Sequence, residues 1–351
     1  MSIWDTYPAS YRSHEISQIL AAVESGECAA LIGLSGSGKS NLMGFLANRI
    51  TSGPPRVLVD CNRLAALTID AFQHLLVSTL DPEIQERPDP ATLNRLLKQY
   101  LEHPPGNLCL LIDRFEALEP IQAILGQNLR SLRDDFKYQL TMVIAARRSP
   151  DPTSELAELF FANSVWLGPL TETDARWSIQ QFARRKGQIW EADQVEQLIA
   201  VSWGYPSFLR AACEAYAQNT LLQMPQILEH PAVSRRLAEF WEDNPSPEQL
   251  QASGLAGHPW LKATAPLSIP QGELTAKEQA LLDYLRQHAD EVCGKQDLIE
   301  AVWPEDVVFE EGLRDESLAQ LVRRLRVKIE AEPSRPQHLL TIPGRGYSYT
   351  P

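Results

Sequence analysis

From residue 28 to about residue 168, short apolar runs alternate with stretches of helical spacing. The runs at 28–33, 56–60, 108–113, 140–146 and 164–167 predict strands, each bounded by polar or turn-forming residues. Strands separated by helices imply a mainly parallel sheet covered on both faces, the α/β arrangement. From Thr171 to about Asn219 the pattern becomes helical throughout. Thr171 is a candidate N-cap, and Val195, Leu198 and Ile199 give one apolar face to a helix after Glu191. Between about 221 and 272, Pro225, Pro231, Pro245, Pro247, Pro259, Pro266 and Pro270 break the pattern into short pieces. That segment reads as a connector, held by aromatic residues (Phe240, Trp241, Trp260) that need burial.

From about 272 onward the pattern is three helices and a hairpin. Residues 275–288 place Leu281, Leu282 and Leu285 on one face, and 295–303 place Leu298, Ile299 and Val302. Residues 317–329 carry a stripe of Leu318, Leu321, Val322, Leu325 and Ile329, so one side of that helix is core. Residues 339–342 and 347–349 flank a turn, Pro343-Gly344-Arg345-Gly346, with a basic tip. The expected divisions are a core at 1–168, a helical lid at 169–220, the connector at 221–271 and a C-terminal module at 272–351.

Composition narrows the classes. The chain has 351 residues, 44% apolar and 22% charged, enough for two folded units. No apolar run approaches the roughly 20 residues that span a bilayer, and residues 1–5 show no basic and apolar leader, so no membrane partner and a cytoplasmic location are expected. Cys28, Cys61, Cys109, Cys213 and Cys293 have no CxxC spacing, which suggests neither a disulfide framework nor a zinc site. A net charge of −13 excludes non-specific coating of nucleic acid by the whole molecule, so any such site is local.

The strongest local chemistry is Gly33-Leu34-Ser35-Gly36-Ser37-Gly38-Lys39-Ser40, a GxxxxGK[ST] loop that follows a predicted strand and opens a helix predicted at 41–50. Its glycines allow backbone N–H groups to converge on phosphates beside the positive end of that helix. Ser37 and Asn41 lie within this cradle, Lys39 would reach the terminal phosphates and Ser40 would ligate Mg2+. ATP or ADP is therefore the expected ligand. A carboxylate near the terminal phosphate is also required, and Asp113 closes the apolar run at 108–112. Glu116 either polarises the attacking water or is a surface carboxylate. Arg114 stands directly after Asp113 where vigorous ATPases carry Glu, so slow or partner-dependent hydrolysis is expected. Arg147, at the end of the next strand, either senses the terminal phosphate or caps a solvated strand end.

Together these elements resemble the STAND class of signal-transduction NTPases and, more distantly, the origin-recognition ATPases. Tyr11-Arg12-Ser13-His14-Glu15 is similar to their entry motif, Ile112-Asp113-Arg114-Phe115-Glu116 to their Walker B variant, and Gly204-Tyr205-Pro206 to the GxP motif of their lid. The resemblance implies nucleotide contacts from Arg12 and Pro206, nucleotide-dependent self-association, and a P-loop NTPase parallel sheet with a helical lid. A second-sensor arginine is not evident, Arg210 being weakly placed.

On the helix at 317–329, Gln320, Arg323, Arg324, Arg326 and Lys328 lie away from the apolar stripe with no acid among them, as expected of a recognition helix in a major groove. Arg345 tips the hairpin, where a wing would reach phosphate or minor groove. The segment resembles the OmpR-type winged helix-turn-helix, an α+β domain. The matching residues are Leu274-Thr275 with Lys277-Glu278, Leu298 through Trp303, Arg323-Arg324-Leu325-Arg326 and Gly344-Arg345-Gly346-Tyr347. Duplex DNA is the expected partner. Against it, residues 273–351 hold ten basic and fifteen acidic side chains, and seven acids (Glu300, Glu305, Asp306, Glu310, Glu311, Asp315, Glu316) crowd the approach to the recognition helix. In that family this loop contacts RNA polymerase or another protein.

The domain order predicts an ATP-dependent DNA-binding regulator. An ATPase loader or remodeller acting on DNA, and a sensor whose winged helix docks a protein, remain open.

Overall fold

The computed structural model describes residues 3–84, 90–264, 274–289, 291–302, 311–330, 336, 338–342 and 345–350. It divides into two units, Met1–Thr264 and Ala265–Pro351.

The first unit begins with α1 (Ser13–Glu24), β1 (Ala29–Ile32), α2 (Lys39–Asn48) and β2 (Arg56–Asp60). It continues through α3 (Ile69–Leu80), α4 (Pro90–Glu102), β3 (Leu108–Asp113), α5 (Gln122–Asp135), β4 (Leu140–Ala146), α6 (Glu155–Phe160) and β5 (Ser164–Trp166). The five strands form one parallel sheet in the order β2-β3-β4-β1-β5. Its strands alternate between two cores, as a period of two requires. Ala30, Ile32, Leu110, Ile112, Met142 and Ile144 face one, and Ala29, Leu31, Cys109, Leu111, Val143 and Ala145 face the other. Coverage on both sides explains why these runs are apolar throughout. All five cysteines are buried free thiols.

Each strand prediction lands within two residues of the observed ends. The helix expected at 41–50 starts two residues earlier, because Gly38 in the left-handed region (φ 92°) serves as its N-cap. This sheet places the functional loops along one edge. The loop after β1, Asp113 at the end of β3 and Arg147 after β4 follow neighbouring strands, and Asp60 pairs with Asp113 in register.

The helical part comprises α7 (Glu172–Arg185), α8 (Ala192–Ser202) and α9 (Pro206–Ala217). It runs on through α10 (Gln226–Glu229), α11 (Pro231–Trp241), α12 (Pro247–Ala252) and α13 (Pro259–Thr264). Thr171 caps α7 by accepting the Asp174 N–H. Helices α10 to α13 occupy the stretch expected to be a connector, yet they share a core with the lid. Phe240, Trp260, Leu237 and Ile227 are buried among Tyr205, Phe208 and Leu209. Phe208 lies 5.4 Å from Phe240 and 5.5 Å from Trp260 by ring centroid, which supplies the burial those aromatics require. Prolines at the first turns of α9, α11 and α12 start these helices, where the missing N–H costs nothing. The remainder of the connector, 265–271, lies outside the described residues.

The second unit contains α14 (Ala276–Gln287), β6 (Val292–Cys293), α15 (Lys295–Val302), α16 (Glu311–Ile329), β7 (Leu339–Ile342) and β8 (Gly346–Tyr349). Its antiparallel sheet runs β6-β8-β7. Leu318, Leu321, Val322 and Leu325 are buried with Leu281, Leu285, Leu298 and Leu339, as the stripe predicts. Two features differ from expectation. Strand β6 is too short for its period to show in sequence, and α16 starts six residues before the helix expected at 317–329. Trp303, Glu305, Asp306, Glu310, Pro343 and Gly344 lie outside the described residues, as do the side chains of Glu311, Asp315 and Glu316. No helix among the described residues is long and apolar enough to cross a membrane.

Candidate functional site

In the first unit the loop 33–40 has the shape its glycines allow. Gly36 (φ 79°) and Gly38 (φ 92°) adopt left-handed backbone, and α2 begins at Lys39. A Cβ at Gly36 would stand 2.1 Å from the Ser207 hydroxyl, so the loop and the first turn of α9 approach too closely for any side chain. Ser207 N–H donates to Gly36 O (3.1 Å), and the Tyr205 hydroxyl donates to Ser35 O (2.8 Å). Pro206 lies beside Gly38 in the same wall.

The loop borders a cleft of about 630 Å³. Gly36, Gly38, Lys39, Ser40, Asn41, Asp113, Glu116, Arg147 and Pro206, all anticipated from sequence, line it. The Lys39 ammonium donates to Gly33 O (2.6 Å). Its burial lowers its pKa, while Glu116, Asp243 and Asp113 oppose that shift. Asp113 is shifted the other way, its carboxyl raised by burial against a hydrogen bond from Ser40. Arg147 bridges two carboxylates: its Nε meets Glu116 Oε1 at 3.2 Å and its Nη1 meets Asp243 Oδ1 at 2.7 Å. The other Glu116 oxygen is buried without a partner among the described residues. Beside Asp113, Arg114 has φ 56° and reaches toward Asp60 (4.0 Å).

Arg12 and Ser37 take different places. The Arg12 guanidinium is 2% exposed and donates to Ser37 O (3.1 Å), Gly168 O (2.9 Å), Pro169 O (3.3 Å) and Glu15 (2.8 Å). Its main-chain N–H donates to buried Asp174 (3.0 Å). Arg12 thus braces the loop from behind, with both Nη groups engaged by protein acceptors. The Ser37 side chain is also fully buried.

Several cleft residues were invisible in sequence. Tyr7, Trp177 and Arg185 form part of its wall, with the Tyr7 and Trp177 rings 4.3 Å apart beside Tyr11. Arg210, weakly placed in sequence, lines the cleft and pairs with Glu214 (3.3 Å). Arg236 and Glu239 of α11 complete it. Asp243, 208 residues from Ser35, accepts its N–H at 2.5 Å. No short motif marks these positions, because they are gathered by helix packing.

In the second unit, α14 is capped reciprocally: Thr275 N–H donates to Glu278 (2.7 Å), and Glu278 N–H to the Thr275 hydroxyl (3.3 Å). The same carboxylate pairs with Lys328 (2.5 Å). Burial opposes ionisation of Glu278, but the hydrogen bonds from Lys328 and Thr275 prevail and hold its pKa below the ordinary value. Arg326 donates to Leu339 O (2.9 and 2.7 Å) and to the Thr341 hydroxyl (2.8 Å), tying α16 to β7. Two of the five polar residues expected on the reading face are therefore engaged within the module. Gln320, Arg323 and Arg324 are exposed on α16, with exposed Val327 on the same face, and Arg345 is exposed beside β8.

Comparison with known proteins accords with this two-part layout. The family model described as Novel STAND NTPase 1 matches residues 11–254, and that described as Transcriptional regulatory protein, C terminal, matches residues 270–349. The sensory transduction protein RegX3 of Mycobacterium tuberculosis is 42% identical over 74 residues, covering 21% of this chain and 31% of the relative. Protein PetR of Rhodobacter capsulatus is 39% identical over 79 residues, covering 22% and 33%. The chain thus spans about a third of the length of these curated relatives. Among solved structures, a Walker-type ATPase of Pyrococcus abyssi aligns at 14% identity and TM-score 0.43, over 96% of this chain and 92% of that one. A Drosophila ORC structure bound to DNA aligns at 14% identity and TM-score 0.46, over 90% and 87%.

Proposed function

This chain belongs to the STAND NTPase family described as Novel STAND NTPase 1 and carries a transcriptional-regulator C-terminal domain, and from that premise we propose that it is an ATP-dependent DNA-binding regulator. The observation that carries this reading is the cleft, where the phosphate loop, Asp113, Glu116 and Arg147 meet residues of the lid and of α11. The loop amides and Lys39 would bind the phosphates, with Tyr7, Tyr11 and Trp177 offering flat surface to a base. Ser40 and Asp113, which line the cleft together, are the residues to hold Mg2+. When bound, that ion neutralises phosphate charge. Glu116 keeps one oxygen without a partner among the described residues and is the group to orient a water.

Turnover in this reading is slow, since Arg114 follows Asp113 and Arg147 holds Glu116. A slow ATPase suits a switch, in which nucleotide state alters the winged module's access to DNA or self-association in the cytoplasm. Arg323, Arg324, Gln320 and Arg345 are the groups offered to duplex DNA, while Arg326 and Lys328 shape the module. RNA polymerase or another protein would meet a separate surface of the same module.

The test is fluorescence anisotropy of duplex DNA libraries over a salt series with ATP, ADP or no nucleotide, on the wild type and Arg324→Ala. Salt-sensitive binding that follows the nucleotide and weakens in the variant is expected. Equal affinity in all three nucleotide states overturns the switch, and DNA-stimulated steady turnover would point instead to a loader.

A further inference from the structure

Asp243 lies just past the end of α11, outside every motif of the phosphate loop, yet its carboxylate is 2% exposed and fully engaged at that loop. One oxygen accepts the Ser35 N–H (2.5 Å) and the other accepts Arg147 Nη1 (2.7 Å). The Asp243 main-chain carbonyl accepts from Arg148 (3.2 Å). A loop amide and a guanidinium, with the Lys39 ammonium close enough to feel the charge, are the partners that a phosphoryl oxygen takes in such a loop. A buried carboxylate survives there only while those partners stay.

We propose that Asp243 is an internal anion that occupies the Ser35 amide and the Arg147 guanidinium when no terminal phosphate is present, and that it makes the cleft discriminate ATP from ADP. This deepens the nucleotide-switch reading and rests on it. Arg147 is shared between Glu116 and Asp243, so it meets a terminal phosphate by giving up one of them. Glu116 lies on the turn after β3, in the sheet's own framework. Asp243 lies in the short turn between α11 and α12, where Asn244 holds a left-handed φ of 45°. A terminal phosphate brought beside Asp243 sets like charges together in a partly dry site, and the carboxylate on the turn is the one able to move. ADP lacks that phosphate and leaves the contact in place.

The movement is bounded. Phe240 and Trp260 are 1% and 0% exposed in the lid core, so α11 and α13 stay anchored and the change is confined to the turn at 242–246 and the start of α12.

The experiment uses the full chain with Mg2+. Hydrogen exchange is followed over 242–249 without nucleotide, with ADP and with a non-hydrolysable ATP analogue. Affinities for fluorescent ADP and the analogue are measured for the wild type and Asp243→Asn. Faster exchange over 242–249 with the analogue and not with ADP is expected in the wild type. In Asp243→Asn the affinity ratio should shift toward the analogue by about tenfold, within the usual range of coupling between sites. A variant that weakens or strengthens both nucleotides equally overturns the proposal and makes Asp243 a brace. If the variant does not fold, identical wild-type exchange with ADP and analogue overturns it alone. Failure of the wild type to bind either nucleotide would sink the nucleotide switch as well, whereas binding with an unchanged ratio sinks only this inference.

Discussion

The two candidate sites use arginine in different ways. In the first, Arg12 is buried among four acceptors and Arg147, though 43% exposed, is clasped between two carboxylates, so both cations are engaged by the protein itself. In the second, one helix divides its cations. Arg326 is drawn onto β7, while Arg323 and Arg324 stay exposed. The difference teaches that a basic residue's role is set by what its element packs against. Inward arginines organise a site and outward ones are available to a ligand.

The sharpest way to break this comparison is to remove one arginine of each kind. Arg12→Ala strips four acceptors of their donor, and we expect it to destabilise the first unit by about 3–5 kcal/mol in urea unfolding. Arg323→Ala should stay within about 0.5 kcal/mol of wild type by the same measurement. A smaller effect than about 1 kcal/mol for Arg12→Ala would show that its bonds are dispensable.

The inward habit of the first unit extends to His258, fully buried beside Trp203, Phe208 and Trp260. Burial lowers its pKa to about 4. A histidine depressed in the folded state binds its proton more readily when unfolded, so stability is full above its ordinary pKa and falls as pH drops from about 6.5 toward 4. The loss should be on the order of 3 kcal/mol, read as a pH-dependent unfolding midpoint that flattens in His258→Phe. A wild-type midpoint that does not move across that window would contradict the assignment.

In the second unit, Gly346 has φ 138°, and a Cβ there would stand 2.0 Å from Cys293 O. Gly346→Ala should therefore loosen the β6–β8 pairing by about 1–3 kcal/mol, seen as a lower melting temperature of that unit. An unchanged melt would mean that the sheet adjusts freely.

The smallest effects separate the two arginine kinds on α16 itself. Arg326→Ala should lower the stability of the unit by about 0.5–1.5 kcal/mol through loss of the bonds to β7. Arg324→Ala should leave stability alone and reduce the salt dependence of DNA binding by about 0.9 in log-log slope for one lost phosphate contact. If Arg326→Ala alters only DNA affinity, the structural role assigned to it fails.

What the sequence determined by itself is local. The strand, glycine loop and helix at 29–48 are contiguous, and only glycine reaches φ values near 80–90° without strain, so loop, Lys39 and Ser40 were readable together. Short continuous apolar runs and a 3.6-residue period likewise pointed to the five strands and the buried stripe of α16. Tertiary structure alone decided which polar side chains the packing uses up. Periodicity puts Arg326 and Lys328 off the apolar stripe but cannot say that β7 and Glu278 wait there. A motif suggests that Arg12 meets nucleotide, while chain geometry turns it onto the back of the loop. Asp243 had no signal at all. A carboxylate 208 residues from Ser35 reaches it only because Phe240 and Trp260 bury themselves against the lid, and that packing depends on contacts no local window contains.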